Sequence, residues 1–295
     1  MMPSSTQATI RSSRRRSSKG RAHRVIGVAR YVVLGLIAIA FLFPLWWMVV
    51  GGFKTPGELF GSSYSLLPKR WTLDNYRLAF EAMPLLRNIF NSIFIAGGYT
   101  VLALLFTSLG GYAFAKLEFP GRDALFVVLL ATMMVPGFVT LVPSFVVVSR
   151  LGWVNSYWGA ILPGTAHAFG IFLMRQYIKG VPDELLEAAR IDGAGPFAIY
   201  WRIILPVSKP ALATVAIIDF IGSWNDFLWP LIILRTKEMF TLVLAITNLP
   251  ASRGFNTPWG AVMAGSTIAV IPLITLFLVL QKQYVAGLTA GAVKE

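Results

Sequence analysis

The sequence predicts an all-α integral membrane protein, and three observations support this prediction. Of the 295 residues, 56% are hydrophobic and only 13% are charged, whereas a soluble domain usually carries about 25% charged residues. The mean hydropathy is +0.67. The apolar residues stand in unbroken runs and not in the alternating pattern of an outer-membrane barrel. Together these features exclude a solvated globular enzyme and a disordered chain.

Six stretches are apolar and long enough to cross a bilayer core, which needs about 20 residues per helix. They are residues 31–50, 89–112, 124–148, 158–174, 211–234 and 259–280. The predicted organisation is therefore a basic N-terminal tail, a domain of six transmembrane helices and a C-terminal tail, which occupy residues 1–30, 31–280 and 281–295. A long inner loop, residues 175–209, separates the fourth span from the fifth. An even number of spans places both termini on the same side.

The distribution of lysine and arginine predicts which side this is, because basic residues are retained on the cytoplasmic side of a membrane. With the N-terminus inside, the inner segments hold 17 basic residues and the outer segments hold 9. Both termini are therefore predicted to be cytoplasmic. Eight of the basic residues lie in the N-terminal tail, where they suit contact with anionic membrane lipid. This placement accounts for the net charge of +13 without nucleic acid.

The long inner loop is predicted to contain two short helices. Pro182 and Asp183 suit the N-terminus of the first helix, and Gly193 suits a left-handed cap at its end. The second helix is predicted to begin at Pro196 and to be closed by Pro206. Both helices carry apolar side chains. These need burial in the membrane interface, on the inner face of the chain itself, or in a groove of another protein. The residues alone leave these three alternatives open.

A spaced motif in this loop carries a resemblance. The pattern E-A-A, three residues, G, nine residues, I, one residue, L-P is met by Glu187, Ala188, Ala189, Gly193, Ile203, Leu205 and Pro206. It resembles the signature loop of the membrane subunits of bacterial binding-protein-dependent ABC importers. The Trp224-Asn225-Asp226-Phe227 run and the ending Gly287-Leu288-Thr289-Ala290-Gly291 are similar to the smaller permease of maltose-type carbohydrate importers. The resemblance covers nearly the whole chain beyond the N-terminal tail.

The resemblance implies a multi-pass permease subunit in the bacterial inner membrane that forms half of the pathway of an ATP-driven carbohydrate importer. The implied partners are a second homologous permease, two cytoplasmic ABC ATPase subunits and an extracytoplasmic binding protein, which residues 64–87 are expected to face. An importer permease for a non-sugar solute is the alternative. Carried over from the matching positions of the signature loop, the residues expected to contact the ATPase are Glu187, Ala188, Ala189, Asp192, Gly193, Ile203, Leu205 and Pro206.

ATP and Mg are then used by the partner ATPase subunits, and this chain is expected to bind no cofactor. A Walker A loop needs a Gly-Lys pair to cradle the nucleotide phosphates, and no such pair occurs in the sequence. The chain has no cysteine and only two histidines, so no metal site is predicted either.

The fifth span carries two acidic residues, Asp219 and Asp226, on one helix face. Acidic residues at bilayer depth normally face the interior of a helix bundle or a wet cavity. The residues expected to line the translocation pathway or to contact the second permease are Asp219, Ser223, Trp224, Asn225 and Asp226. In the fourth span, His167 is expected to be a hydrogen-bonded interior histidine.

Two other classes of membrane protein fit the sequence less well. A membrane enzyme needs a metal or acid–base cluster, and the sequence contains no His-Glu-x-x-His motif, so no catalytic residue is predicted. An ion-coupled secondary transporter would repeat its broken helices in matching halves. No such repeat is visible, and the inner loop would have no explanation.

Overall fold

The computed structural model describes residues 6–60, 65–249 and 258–290, and for residues 6–26, 29, 60 and 280–290 it describes the backbone alone. Residues 1–5 of the N-terminal tail, Tyr64 of the first outer loop and residues 291–295 of the C-terminal tail lie outside the described residues. In the described part of the chain, every regular element is a helix. The all-α prediction is confirmed for these residues.

The helices follow one another along the chain in this order. They are α1 (Thr6–Gly51), α2 (Pro56–Phe60), α3 (Asp74–Ala82), α4 (Leu85–Lys116), α5 (Arg122–Thr132), α6 (Gly137–Arg150), α7 (Tyr157–Ile161), α8 (Ala168–Lys179), α9 (Asp183–Ile191), α10 (Pro196–Ile199), a π-helical turn (Tyr200–Ile204), α11 (Leu205–Val207), α12 (Lys209–Asn225), α13 (Leu228–Ile233), α14 (Leu242–Asn248) and α15 (Trp259–Ala290).

Among the described residues, three helices are long and apolar enough to cross a membrane by themselves. They are Arg30–Gly51 of α1, the whole of α4, and Trp259–Val279 of α15. Two further candidates are pairs of helices joined at a sharp bend. The bend is 102° between α5 and α6, and 79° between the segment Pro196–Val207 and α12. Length and composition therefore support three to five spans.

Two of the stretches expected to be continuous helices are interrupted. Residues 124–148 break between α5 and α6, where Pro136 has a ψ of 135°, because proline disfavours the helical conformation of the residue before it and has no N–H to donate. Residues 211–234 break after α12, where Asp226 has a ψ of 127°. Hydropathy summed over a window of 20 residues does not detect a break this short.

The fourth expected span, residues 158–174, is also two helices, α7 and α8. Pro163 lies between them and cannot donate a backbone hydrogen bond, and Gly164 has a φ of +84°, which glycine adopts without strain. The carbonyl groups freed by the break have other partners. The Tyr99 hydroxyl donates to the Gly164 oxygen at 3.0 Å, and the Thr165 hydroxyl donates to the Leu162 oxygen at 2.9 Å. These bonds allow an irregular backbone at membrane depth.

The second helix of the inner loop runs past its expected end. Pro206 was predicted to close it, whereas the helix continues through the π-helical turn and α11 to Val207. Pro206 follows directly after the π-helical turn, in which the Leu205 N–H donates to the Tyr200 oxygen, and proline has no N–H to continue this pattern. The difference is one residue.

Helix α4 is the central element of the described fold, and α8 and α12 both pack along it. At Gly111 the contact between α4 and α8 is very close. A Cβ atom built on Gly111 would lie 2.5 Å from the Met174 Cβ and 2.9 Å from the Arg175 backbone nitrogen. The two backbones therefore approach each other at a position where only glycine fits.

We expect Gly111→Ala to destabilise the chain by about 1–3 kcal/mol, since overpacking a filled contact costs this much. Gly97→Ala is the matched control on the same helix, because a Cβ at Gly97 meets no described atom within 4 Å. It removes a flexible glycine from a helix interior and is expected to be neutral or slightly stabilising. The measurement is the thermal unfolding midpoint of both purified variants in detergent. Equal midpoints would contradict the close approach.

Candidate functional site: an inner hairpin and an intramembrane cavity

The inner hairpin, residues 182–208, is the first candidate site. Its first helix, α9, ends in two hydrogen bonds, from the Gly193 N–H to the Arg190 oxygen at 3.0 Å and from the Ala194 N–H to the Ala189 oxygen at 2.9 Å. Gly193 has a φ of +82°. This is a Schellman motif, which needs a left-handed residue at that position. The predicted cap at Gly193 is confirmed.

One face of the hairpin is buried against the rest of the chain. Leu186 from α9 and Ile199, Tyr200 and Ile204 from the second helix are at most 2% exposed, and they pack in one cluster with residues of α4 and α8. The Tyr200 hydroxyl lies 2.7 Å from the Ser108 hydroxyl of α4. The hairpin is therefore part of the hydrophobic core on this side.

Polar contacts fix both helices of the hairpin to the end of α4. Lys116 donates to the Val181 oxygen at 2.6 Å and forms an ion pair with Asp183 at 2.7 Å, with its own side chain only 6% exposed. The Tyr112 hydroxyl donates to the Pro196 oxygen at 3.3 Å. The hairpin is thus attached at the start of each of its helices.

The opposite face of the hairpin is exposed and carries large apolar side chains. Ile191, Phe197 and Trp201 are 86%, 74% and 55% exposed. Of the predicted ATPase-contact residues, those exposed are Glu187, Ala188, Asp192, Gly193 and Pro206, and those half-buried are Ala189, Ile203 and Leu205. The half-buried three pack against the core cluster of the chain itself. The spaced motif therefore contains residues of both faces.

The second candidate site is a cavity of about 580 Å³ at the place where the three interrupted spans break. Its walls include Gly137 at the start of α6, Gly164 and His167 between α7 and α8, and Asn225 and Asp226 at the end of α12. Irregular backbone at membrane depth is tolerated where it lines a cavity. The three breaks thus form one site.

A close contact between two polar side chains joins two walls of this cavity. The Nε2 atom of His167 lies 3.0 Å from Oδ1 of Asp219, whose side chain is 5% exposed. The Nδ1 atom of His167 accepts a hydrogen bond from the Gly170 N–H at 3.1 Å, so a neutral imidazole carries its proton on Nε2, facing the carboxylate. The expected hydrogen-bonded role of His167 is confirmed. The residue also lines the cavity, which was not predicted.

Four of the five predicted pathway residues line the cavity, namely Asp219, Ser223, Asn225 and Asp226. Asp226 also accepts a hydrogen bond from the N–H of Trp229, in the first turn of α13, at 3.4 Å. Trp224 lies elsewhere. It is 1% exposed and stacks on Phe220 with ring centroids 5.8 Å apart.

Sequence reasoning missed Trp229 within the fifth span and the cavity walls outside that span, which include Tyr99, Thr140 and Ser144. A signal for them exists in the sequence, because Pro136-Gly137 and Pro163-Gly164 are pairs of helix breakers inside apolar stretches. Polar residues that neighbour such breaks are candidates for a common site.

The described part of the loop between α1 and α4, which is expected to lie outside the cell, is organised around Lys54, which is fully buried. Its Nζ atom donates to the Ser65 oxygen at 2.6 Å and lies 3.9 Å from the centroid of the Trp47 ring. Burial lowers the pKa of Lys54, and the negative charge of Glu58 opposes this shift. Asn75 donates to the Lys54 oxygen at 2.7 Å. The loop is therefore held by side-chain bonds, while its contact with a binding protein stays a prediction.

Comparisons with known proteins identify relatives over nearly the whole chain. Residues 108–289, which contain the inner hairpin and most of the cavity, match the family described as "Binding-protein-dependent transport system inner membrane component". The arabinooligosaccharides transport system permease protein AraQ of Bacillus subtilis is 38% identical over 273 residues, which cover 92% of this chain and 96% of AraQ.

Two other relatives are named for the transport of different solutes. The sn-glycerol-3-phosphate transport system permease protein UgpE of Yersinia enterocolitica is 35% identical, with 90% of this chain and 96% of that protein covered. The lactose transport system permease protein LacG of Rhizobium radiobacter is 33% identical, with 92% and 97% covered.

Among solved structures, a chain of a bacterial ABC transporter involved in the import of the acidic polysaccharide alginate superimposes with a TM-score of 0.79. It is 26% identical, and the match covers 89% of this chain and 97% of that one.

Proposed function

The chain belongs to the family of binding-protein-dependent transport system inner membrane components, and we propose that it forms half of the pathway of an ATP-driven carbohydrate importer. It is a multi-pass permease of the bacterial inner membrane. The names of the arabinooligosaccharide and lactose permeases support carbohydrate as the cargo. A phosphorylated polyol is the second candidate, because one relative is named for sn-glycerol-3-phosphate.

We propose six membrane spans with both termini in the cytoplasm. The continuous spans are α1, α4 and α15. The broken spans are α5 with α6, α7 with α8, and α12 with α13. Two observations support this arrangement: the 17 basic residues of the inner segments against 9 in the outer ones, and the meeting of the three breaks at one cavity.

The exposed face of the inner hairpin is proposed to contact a cytoplasmic ABC ATPase, and its exposure is the observation that carries the proposal. Phe197 and Trp201 are exposed, although large aromatic side chains contribute strongly to binding when a partner covers them. The opposite face is fixed to α4 by Lys116 and Tyr200. A hairpin with one face attached and one face free transmits the movement of a bound partner to the helices that carry it.

The complete importer is proposed to contain this chain, a second homologous permease, two ATPase subunits and a binding protein outside the cell. The ATPase subunits use ATP and Mg. This chain catalyses no reaction and holds no cofactor of its own. Movement of the hairpins switches the paired permeases between inward-open and outward-open states, and the solute passes between them.

The test is reconstitution of the chain with its partner subunits in liposomes that enclose ATP. We expect uptake of labelled arabinooligosaccharide that requires hydrolysable ATP and the binding protein. Uptake driven by an ion gradient in the absence of ATP would instead identify a secondary transporter. Uptake of glycerol 3-phosphate but not of oligosaccharide would favour the second candidate cargo.

A further inference from the structure

Four hydrogen-bond donors in the wall of the intramembrane cavity are already used. The Tyr99 hydroxyl donates to the Gly164 oxygen at 3.0 Å, the Thr140 hydroxyl to the Gly137 oxygen at 2.9 Å, and the Trp229 indole N–H to the Gly159 oxygen at 2.9 Å. The Asn225 amide nitrogen donates to the Ile221 oxygen at 3.0 Å. Each of these donors is committed to a backbone carbonyl.

The same wall also holds a buried carboxylate oxygen without a partner in the described part of the chain. The side chain of Asp219 is only 5% exposed, and its Oδ2 atom has no hydrogen-bond partner among the described residues. Asp226 contributes a second carboxylate and Asn225 an amide oxygen. A buried acceptor without a partner is costly. A solute that brings hydroxyl donors is therefore the complement of this wall.

The charge of the wall points in the same direction. Its acidic residues are Asp219 and Asp226, and the described residues that line the cavity include neither lysine nor arginine. The N-termini of α6 and α8 reach the cavity, and each contributes about half a positive charge. The two carboxylates outweigh this contribution. An anionic solute would enter without a cationic side chain to pair with, which is unfavourable at membrane depth.

We propose that this cavity is a solute subsite contributed by this subunit, that it binds an uncharged polyhydroxyl solute through the solute's hydroxyl donors, and that it disfavours anionic sugars. This inference rests on the proposed importer function and narrows its cargo to neutral carbohydrate. Glycerol 3-phosphate, the phosphorylated polyol for which one relative is named, is then excluded from this site.

The absence of cysteine from the sequence allows a direct test in the purified complex of this chain with its partner subunits. Ser223→Cys places one thiol in the cavity wall, and modification of this chain is followed by its intact mass. The probes are a cationic methanethiosulfonate with a trimethylammonium group and an anionic one with a sulfonate group. Their rates are normalised to those measured with 2-mercaptoethanol in the same buffer.

We expect the normalised rate of the cationic reagent to exceed that of the anionic one by about tenfold or more, as in other clefts lined by charges of one sign. Asp226→Asn in the same background is expected to reduce this ratio. Glu238→Gln, which removes a carboxylate from an exposed outer loop, is expected to leave it unchanged. A ratio near one, a faster anionic reagent or an unreactive thiol would each overturn the proposal.

Protection by solutes tests the specificity separately. Arabinopentaose is expected to slow the modification of the Ser223→Cys thiol, and an alginate pentasaccharide at equal concentration is not. Protection by the acidic sugar, or by neither sugar, would overturn the proposed subsite. These measurements require no transport. If the complex shows the charge preference and the protection but no ATP-driven uptake, the importer function is refuted and the proposed subsite is supported. If the complex shows ATP-driven uptake but neither the charge preference nor the protection, only the proposed subsite is refuted.

Discussion

Replacing Phe197 with aspartate is expected to abolish ATP-driven uptake and to release the ATPase subunits from the purified complex. The side chain is 74% exposed on the free face of the inner hairpin, so the substitution disturbs little within the chain itself. In the proposed interface, however, the carboxylate would be buried without a partner. Loss of a central aromatic contact commonly costs 2 kcal/mol or more, which is a factor of about 30 in affinity.

Phe197→Leu is the matched control, because it keeps an apolar side chain at the same position. It is expected to retain uptake to within a few-fold. The measurements are the amount of ATPase subunit that co-purifies with each variant and the initial rate of uptake in liposomes. The thermal unfolding midpoint of the isolated chain should be the same for both. Normal uptake by Phe197→Asp would remove the exposed face of the hairpin from the coupling mechanism.

The hairpin was predictable from the sequence because local chemistry determines it. Asp183 and Pro196 begin helices and Gly193 ends one, and each of these preferences depends only on the residue and its immediate neighbours. The sequence motif did not, however, separate the face that packs on α4 from the face that is free. Ile203 and Leu205 belong to the motif and pack against the core of the chain, whereas Trp201, outside the motif, is exposed.

The cavity was predictable only in part, because it depends on contacts between distant segments. The helical spacing of Asp219 and Asp226 placed both residues on one face, and both line the cavity. The approach of His167 to Asp219 depends on the break between α7 and α8, which a hydropathy window averages away. Residues in the third and fourth spans were therefore not recognised as walls of the same site.

Substitution of Tyr200 is expected to loosen the attachment of the hairpin to α4 without preventing the ATPase from docking on the hairpin. The expected phenotype therefore differs from that of Phe197→Asp. Its side chain is 1% exposed, and its ring lies 5.8 Å from that of Tyr112. Ser108 donates to the Leu104 oxygen, so the Tyr200 hydroxyl donates to Ser108 at 2.7 Å. These contacts lie on the buried face of the hairpin. On the exposed face, the Tyr200 ring meets only the edge of the Trp201 ring, among the ring contacts of the described residues, with centroids 5.1 Å apart.

Tyr200→Ala is therefore expected to leave the ATPase bound and active while uptake falls by about tenfold or more. Removing a buried aromatic side chain costs about 3–5 kcal/mol, and here the loss falls on the contact between the hairpin and α4. Movement of the ATPase would then be absorbed by a loosened hairpin before it reaches the membrane helices. Tyr200→Phe keeps the ring and gives up one hydrogen bond, worth about 1 kcal/mol, and should transport at close to the normal rate.

The decisive quantity for Tyr200→Ala is the number of ATP molecules hydrolysed per solute imported, measured in the same liposomes. This ratio should rise in Tyr200→Ala and stay normal in Tyr200→Phe, whereas Phe197→Asp should lose ATPase subunit and uptake together. If Tyr200→Ala instead lost both activities in parallel, or kept the normal ratio, the buried face would have no role in transmission beyond folding. The pair of variants thus distinguishes a hairpin that only binds its partner from one that also transmits the partner's movement to α4.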